Sequence, residues 1–122
     1  MARFTKSQRL LTSREFDRVL SGTNTKVVCA DFVLLASDKD SRRPSRLGLI
    51  VSGKVGNAVI RNKVKRSIRS VFQSSLGLET ALIGRDLVVI ARPAIVDTKG
   101  RVKANIQDRL QQCASRLLNK LG

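Results

Sequence analysis

The sequence predicts an α+β fold, a single-domain α/β sandwich with its elements in the order αββ(β)αβα. Three observations lead there. The 122 residues match the usual size of one compact domain, so residues 1–122 are read as one unit. Short runs of β-branched and large apolar residues alternate with stretches whose apolar positions recur at helical spacing. No internal repeat, low-complexity tract or linker interrupts them. The core must be aliphatic: the 42% hydrophobic content includes no Trp or Tyr, and Phe4, Phe16, Phe32 and Phe72 are the aromatic residues.

Residues 1–11 are basic and aperiodic, and read as an extended arm. Thr12 with Glu15 three positions later suggests a capping box, and Phe16, Val19 and Leu20 continue a short helix that Gly22 stops. Lys26 to Ser37 is rich in Val, Leu and Phe and is expected to be a strand. A polar stretch with Pro44 follows, then a second strand from Arg46 to Ser52, the two forming a hairpin-like pair. Asn57 to Ser75 is the strongest helical segment, with Asn57 placed to cap it and Ile60, Val64, Ile68 and Val71 forming its inward stripe. Asp86 to Ala91 is a nearly continuous apolar run, as expected of a buried central strand closed by Pro93. After a basic loop, Ile106, Leu110, Cys113, Leu117 and Leu121 share one face of a C-terminal amphipathic helix.

Lys and Arg total 24 against 9 acids, a formal charge of +15. Solubility does not need that much, and a polyanion is the natural partner. No apolar stretch approaches the roughly 20 residues of a spanning helix, and the first 18 residues lack the continuous apolar segment of a signal peptide. The protein is therefore expected in the cytoplasm, without a membrane partner. Cys29 and Cys113 belong to no CxxC pair, and the chain has no His. In that compartment they are expected to be reduced core residues, with neither a disulfide nor a zinc site.

At about 100° per residue, Arg61, Asn62, Lys65, Arg66 and Arg69 project from beside the apolar stripe to opposite it, and no acid occurs from residue 57 to residue 78. A helix serving only solubility would mix in Glu at i, i+4 to relieve the repulsion. Guanidinium forks, the point charge of Lys65 and the amide of Asn62 suit phosphates, sugar hydroxyls and base edges. Spacing alone does not separate RNA from DNA.

The order Lys54-Val55-Gly56-Asn57-Ala58-Val59, then Arg61-Asn62-Lys63-Val64-Lys65-Arg66 and Arg69, closely resembles the signature of the bacterial ribonuclease P protein subunit. Arg9-Leu10, Arg14-Glu15-Phe16 and Val19 near the start extend the resemblance, as do Arg46 to Ser52 and Asp86 to Arg92 before a terminal helix, so that it covers essentially the whole chain. It implies a small basic protein that binds the catalytic RNA of ribonuclease P and helps it remove the 5′ leader of precursor tRNA. It also implies the fold of the second domain of the fifth small-subunit ribosomal protein, with a left-handed βαβ crossover that general handedness rules would not choose. By position, Arg61, Asn62, Lys65, Arg66 and Arg69 would meet the catalytic RNA, supported by Lys54 and Asn57. Arg9, Phe16, Lys26, Phe32 and Arg92 would serve the leader. Three positions depart from the family pattern: Leu20 and Leu35 stand where aromatics are frequent, and Gly53 where a lysine is common.

A protein nuclease would need a general base or metal-binding carboxylates, yet there is no His and the acids are scattered. Asp38 and Asp40 lie in a polar loop, where a turn role suits them. The protein is thus expected to be the accessory subunit of a ribonucleoprotein endonuclease. It would bind no cofactor alone, magnesium would be held by the RNA, and the free chain would be a monomer. The rival reading is a structural RNA-binding protein of ribosomal type, and the third a nucleoid DNA binder. The joined motif favours the first.

Overall fold

The computed structural model describes residues 13–22, 24–38 and 45–121. The N-terminal arm with Arg9, the Thr12 cap, and Asp40 and Pro44 of the polar loop lie outside the described residues. The order is α1 (Ser13–Ser21), β1 (Asn24–Val28), β2 (Phe32–Ser37), β3 (Arg46–Val51), α2 (Ala58–Ser74), β4 (Asp86–Ala91) and α3 (Ile106–Leu121). This is the α+β arrangement expected, with the third early strand present.

The strand pairing corrects the expected hairpin. Lys26 to Ser37 is not one strand: it folds back on itself as β1 and β2, antiparallel with Val28 opposite Val33 and Asn24 opposite Ser37. Asp31 marks the turn. Its carboxylate is buried at 3% exposure and accepts from Lys103 Nζ at 3.2 Å and Arg109 Nη1 at 2.6 Å. A buried carboxylate needs such partners, and only a turn facing the start of α3 supplies them. β3 pairs instead with β4, in parallel, and the sheet order is β1-β2-β4-β3. β4 enters between the two strands expected to be neighbours because α2 carries the chain across the sheet before it returns.

One face of the sheet, including Val27, Phe32, Leu34 and Val89, packs on α2 and α3 through Val64, Ile68, Phe72, Leu110 and Leu117. Each such side chain contributes about 1.5–3 kcal/mol on burial. α1 lies on the other face, where Val19 packs with Leu35 and Val88. Arg46 fastens it, reaching Glu15 Oε2 at 2.5 Å and gripping Asp86 through Nε and Nη2 at 2.8 and 2.9 Å.

Candidate nucleic-acid interface

α2 begins as its sequence dictates. The Ile60 N–H donates to Asn57 Oδ1 at 3.0 Å, a side-chain cap on an orphan donor. Just before it, a Cβ on Gly56 would come within 2.8 Å of the Ile60 side chain, so the incoming strand-to-helix turn can lie this close only as glycine. Val64, Ile68, Val71 and Phe72 are buried and Ile60 is half-buried. The opposite arc carries Asn62 and Arg66, both exposed, flanked by the half-buried Arg61, Lys65 and Arg69. The structure thus gathers these five on one surface. Lys54 is exposed in the preceding turn, while the side-chain oxygen of Asn57 is taken up by the cap. Among the described residues none of these cations makes an ion pair, and the Arg61 Nε is buried without a hydrogen-bond partner.

The α1 face of the sheet is organised in three cross-strand rows. At one end Ser37 lies beside Asn24, and Arg46 beside Asp86, whose N–H donates to Ser37 Oγ. The middle row is Lys26, Leu35, Val88 and Gly48; the next is Val28, Val33, Ile90 and Ile50. α1 is nine residues long and roofs the first two rows. The last stays half-open: Val28 is 49% exposed, and Val33, Ile90 and Ile50 are partly buried. Phe16 on α1 packs against the same cluster as Val33, Ile50 and Ile90 and so borders this trough, and Leu20, one helical turn on, is 41% exposed. Lys26 is exposed on the edge strand, and Arg92 follows β4 with its Nη1 donating to the Cys29 carbonyl at 2.8 Å.

Phe32 does not join this trough. It is fully buried on the opposite face, packed with α2 and α3, so its expected leader role gives way to a core role. Strand alternation decides this: Val33 and Leu35 face the trough, and Phe32 and Leu34 therefore face the helices. Leu35, at 5% exposure under α1, is likewise outside the open row.

The cysteine expectation is also overturned. Cys29 and Cys113 form a disulfide between the β1–β2 turn and α3, with Cα atoms 6.2 Å apart. Cys113 sits on the inward stripe of α3 and Cys29 ends the β1 run, so both were legible as inward-facing; their partnership is set by packing across 84 residues. Two further cations were not anticipated. Arg116 Nη1 donates to the Val28 carbonyl at 3.4 Å and Lys120 Nζ to that of Lys26 at 3.2 Å, so α3 covers the free edge of β1 with charge. Among the described residues no group of acids, His or Cys is placed to hold a metal ion, and no helix is long and apolar enough to cross a membrane.

A basic helix on one face of a sheet and a half-open apolar trough on the other agree with what the chain resembles. The ribonuclease P family model matches residues 4–121. The ribonuclease P protein component of Halalkalibacterium halodurans is 43% identical over 103 residues, 83% of each chain. That of Marinomonas sp. (strain MWYL1) is 35% identical over 118 residues, 96% of this chain and 84% of the relative. The solved RNase P protein of Staphylococcus aureus superposes with a TM-score of 0.74 at 30% identity, covering 91% of this chain and 95% of that one. For the Thermotoga maritima protein the values are 0.73 and 31%, with 88% and 96% covered. These matches set aside the ribosomal and nucleoid readings, and this chain belongs to the bacterial ribonuclease P protein component family.

Proposed function

We propose that this protein, as the protein component of ribonuclease P, grips the catalytic RNA with the outer face of α2 and receives the 5′ leader of precursor tRNA in the trough between α1 and the sheet. The observation that carries the first half is the one-signed α2 surface: four cations without an ion pair among the described residues, on a helix whose other side is buried. A phosphate backbone is the ligand such a surface fits. The trough supports the second half. It is apolar, half-open and edged by Lys26 and Arg92, the composition that holds an unpaired strand by base contact and backbone charge. Phe16 is the ring available there for stacking.

The residues of this chain bind and orient; the chemistry would belong to the RNA, which would also hold the magnesium ions. Among the described acids, Glu15 and Asp86 are engaged by Arg46, and Asp31 by Lys103 and Arg109. The protein works in the cytoplasm as a monomer before assembly. Reconstitution with a bacterial ribonuclease P RNA tests this directly: the protein is expected to stimulate 5′ cleavage of precursor tRNA at low magnesium, and no stimulation would overturn the proposal. For the trough, Phe16→Ala is expected to weaken binding of leader-bearing precursor more than of mature tRNA. Equal weakening would make Phe16 a packing residue only.

A further inference from the structure

The disulfide lies on the α3 face of the sheet, in the turn that directly follows the trough's floor strand. Cys29 directly follows Val28, the most open member of the floor row, and its carbonyl accepts from Arg92 Nη1. The Arg92 N–H in turn donates to the Asp31 carbonyl at 2.9 Å. The turn that carries the disulfide therefore also positions a cation at the end of the trough. A hollow of about 220 Å³ opens beside it, lined by Cys29, Cys113, Arg109 and Arg116 among others. Three cations face this corner, Lys103, Arg109 and Arg116, against the single carboxylate of Asp31.

The two sulfurs differ. Cys113 is 2% exposed, whereas Cys29 is half-buried and receives Arg116 Nη1 on its Sγ at 3.4 Å. A neighbouring guanidinium favours the thiolate, and a reachable thiolate is the nucleophile in exchange. In a reducing compartment a disulfide of this kind is characteristically transient and redox-sensing rather than structural.

We propose that Cys29 and Cys113 form a reversible thiol–disulfide switch, operated by a small anionic thiol admitted through this hollow, that sets how firmly the β1–β2 turn presents the leader trough. It rests on the reading of that trough given above. Closing the switch begins with the Cys29 thiolate attacking a low-molecular-weight disulfide RSSR, forming Cys29–S–S–R and releasing RS⁻. Cys113 then gives up its proton and attacks Cys29 Sγ, expelling a second RS⁻. Both leaving thiolates take up the protons lost by the cysteines, so two protein thiols are oxidised and RSSR is reduced to two RSH. Opening is the reverse. The fold survives opening, because the Asp31 ion pairs and the Cys29 N–H to Phe32 carbonyl bond at 2.8 Å still hold the turn.

The test uses the full chain with a bacterial ribonuclease P RNA, the protein either oxidised by glutathione disulfide or reduced by dithiothreitol. Affinity is read for leader-bearing precursor and for mature tRNA. Reduction is expected to cut the preference for the leader by about fivefold or more, the lower end of coupling between linked sites. Cys29→Ser should show the reduced value under both conditions. A leader preference that reduction leaves unchanged overturns the switch alone; no leader preference in either state overturns the trough reading and the switch with it. Separately, Cys113→Ser exposed to glutathione disulfide should carry a mixed disulfide on Cys29, seen by intact mass. No adduct there overturns Cys29 as the entry thiol. Adding Arg116→Gln to that background should raise the pH midpoint of Cys29 alkylation, and an unmoved midpoint removes Arg116 from the mechanism.

Discussion

Replacing Arg61 and Arg66 together by Ala removes two of the four cations from the α2 contact face while leaving its buried stripe untouched. Neither makes an ion pair among the described residues, so the change breaks no salt bridge that would confuse the result. If each side chain meets one phosphate, the log–log salt dependence of RNA binding should flatten by about 0.7–0.9 per contact, roughly 1.4–1.8 for the pair. A fourfold rise in salt should then narrow the gap between wild type and variant about seven- to twelvefold. Fluorescence titration against ribonuclease P RNA over such a salt series measures this. Lys63→Ala is the charge control, since at about 100° per residue Lys63 projects some 60° beyond Arg66, past the contact arc. An unchanged slope in the double variant, or an equal flattening per charge for Lys63→Ala, would refute the contact face and leave only a general attraction.

Three other outcomes follow from the same geometry. A Cβ on Gly53 meets nothing within 4 Å, so Gly53→Lys should fold normally and steepen the salt slope by about 0.7–0.9; an unchanged slope would put this turn away from the RNA. Leu20 lies one helical turn from Phe16 at 41% exposure, and Leu20→Phe should tighten binding of leader-bearing precursor by about 1–3 kcal/mol if a base stacks there, with no change for mature tRNA. Because the disulfide spans 84 residues, its reduction, or Cys113→Ser, should lower unfolding free energy by about 2–4 kcal/mol in denaturant titration. Equal midpoints with and without dithiothreitol would mean the bond is not formed in solution.

What was legible in the sequence was local. α2 could be read from its cap and its 3.6-residue stripe, and α3 from its inward positions, because helical contacts repeat within a few residues. Strand partners could not, since pairing is non-local: the run from Lys26 to Ser37 is apolar on both faces once β2 lies inside the sheet. For the same reason Phe32 could not be given a face. A strand covered on both sides carries no polar alternation to show which way each side chain points. The disulfide was hidden by a compartment argument that treats cysteines as reduced, and by a separation that no motif spans. That Arg61, Asn62, Lys65, Arg66 and Arg69 share one surface of α2, by contrast, was legible down to single residues.

The +15 charge is concentrated by what the acids do. Glu15 and Asp86 pair with Arg46, and Asp31 is shared by Lys103 and Arg109. Asp97 is turned into its own loop, where the Arg101 N–H, the largest influence, holds its carboxyl below the ordinary range. Among the described residues no acid pairs with the α2 cations, so Arg61 with Lys65, and Lys65 with Arg69, stand as like charges at i, i+4, costing the free protein about 0.2–0.5 kcal/mol each. Burial of Val64, Ile68 and Phe72 outweighs that several times over. Salt should consequently act with opposite signs on the free and bound protein. Sodium chloride screens the exposed repulsion but barely reaches the buried pairs of Asp31 and Asp86, so the free protein's melting temperature should rise by about 2–4 °C between low and moderate salt while RNA affinity falls. Thermal melts of the free protein over a salt series decide the matter: a melting temperature that drops with salt would show that attraction, not repulsion, dominates the free fold, and that the α2 face is not held under strain for the RNA.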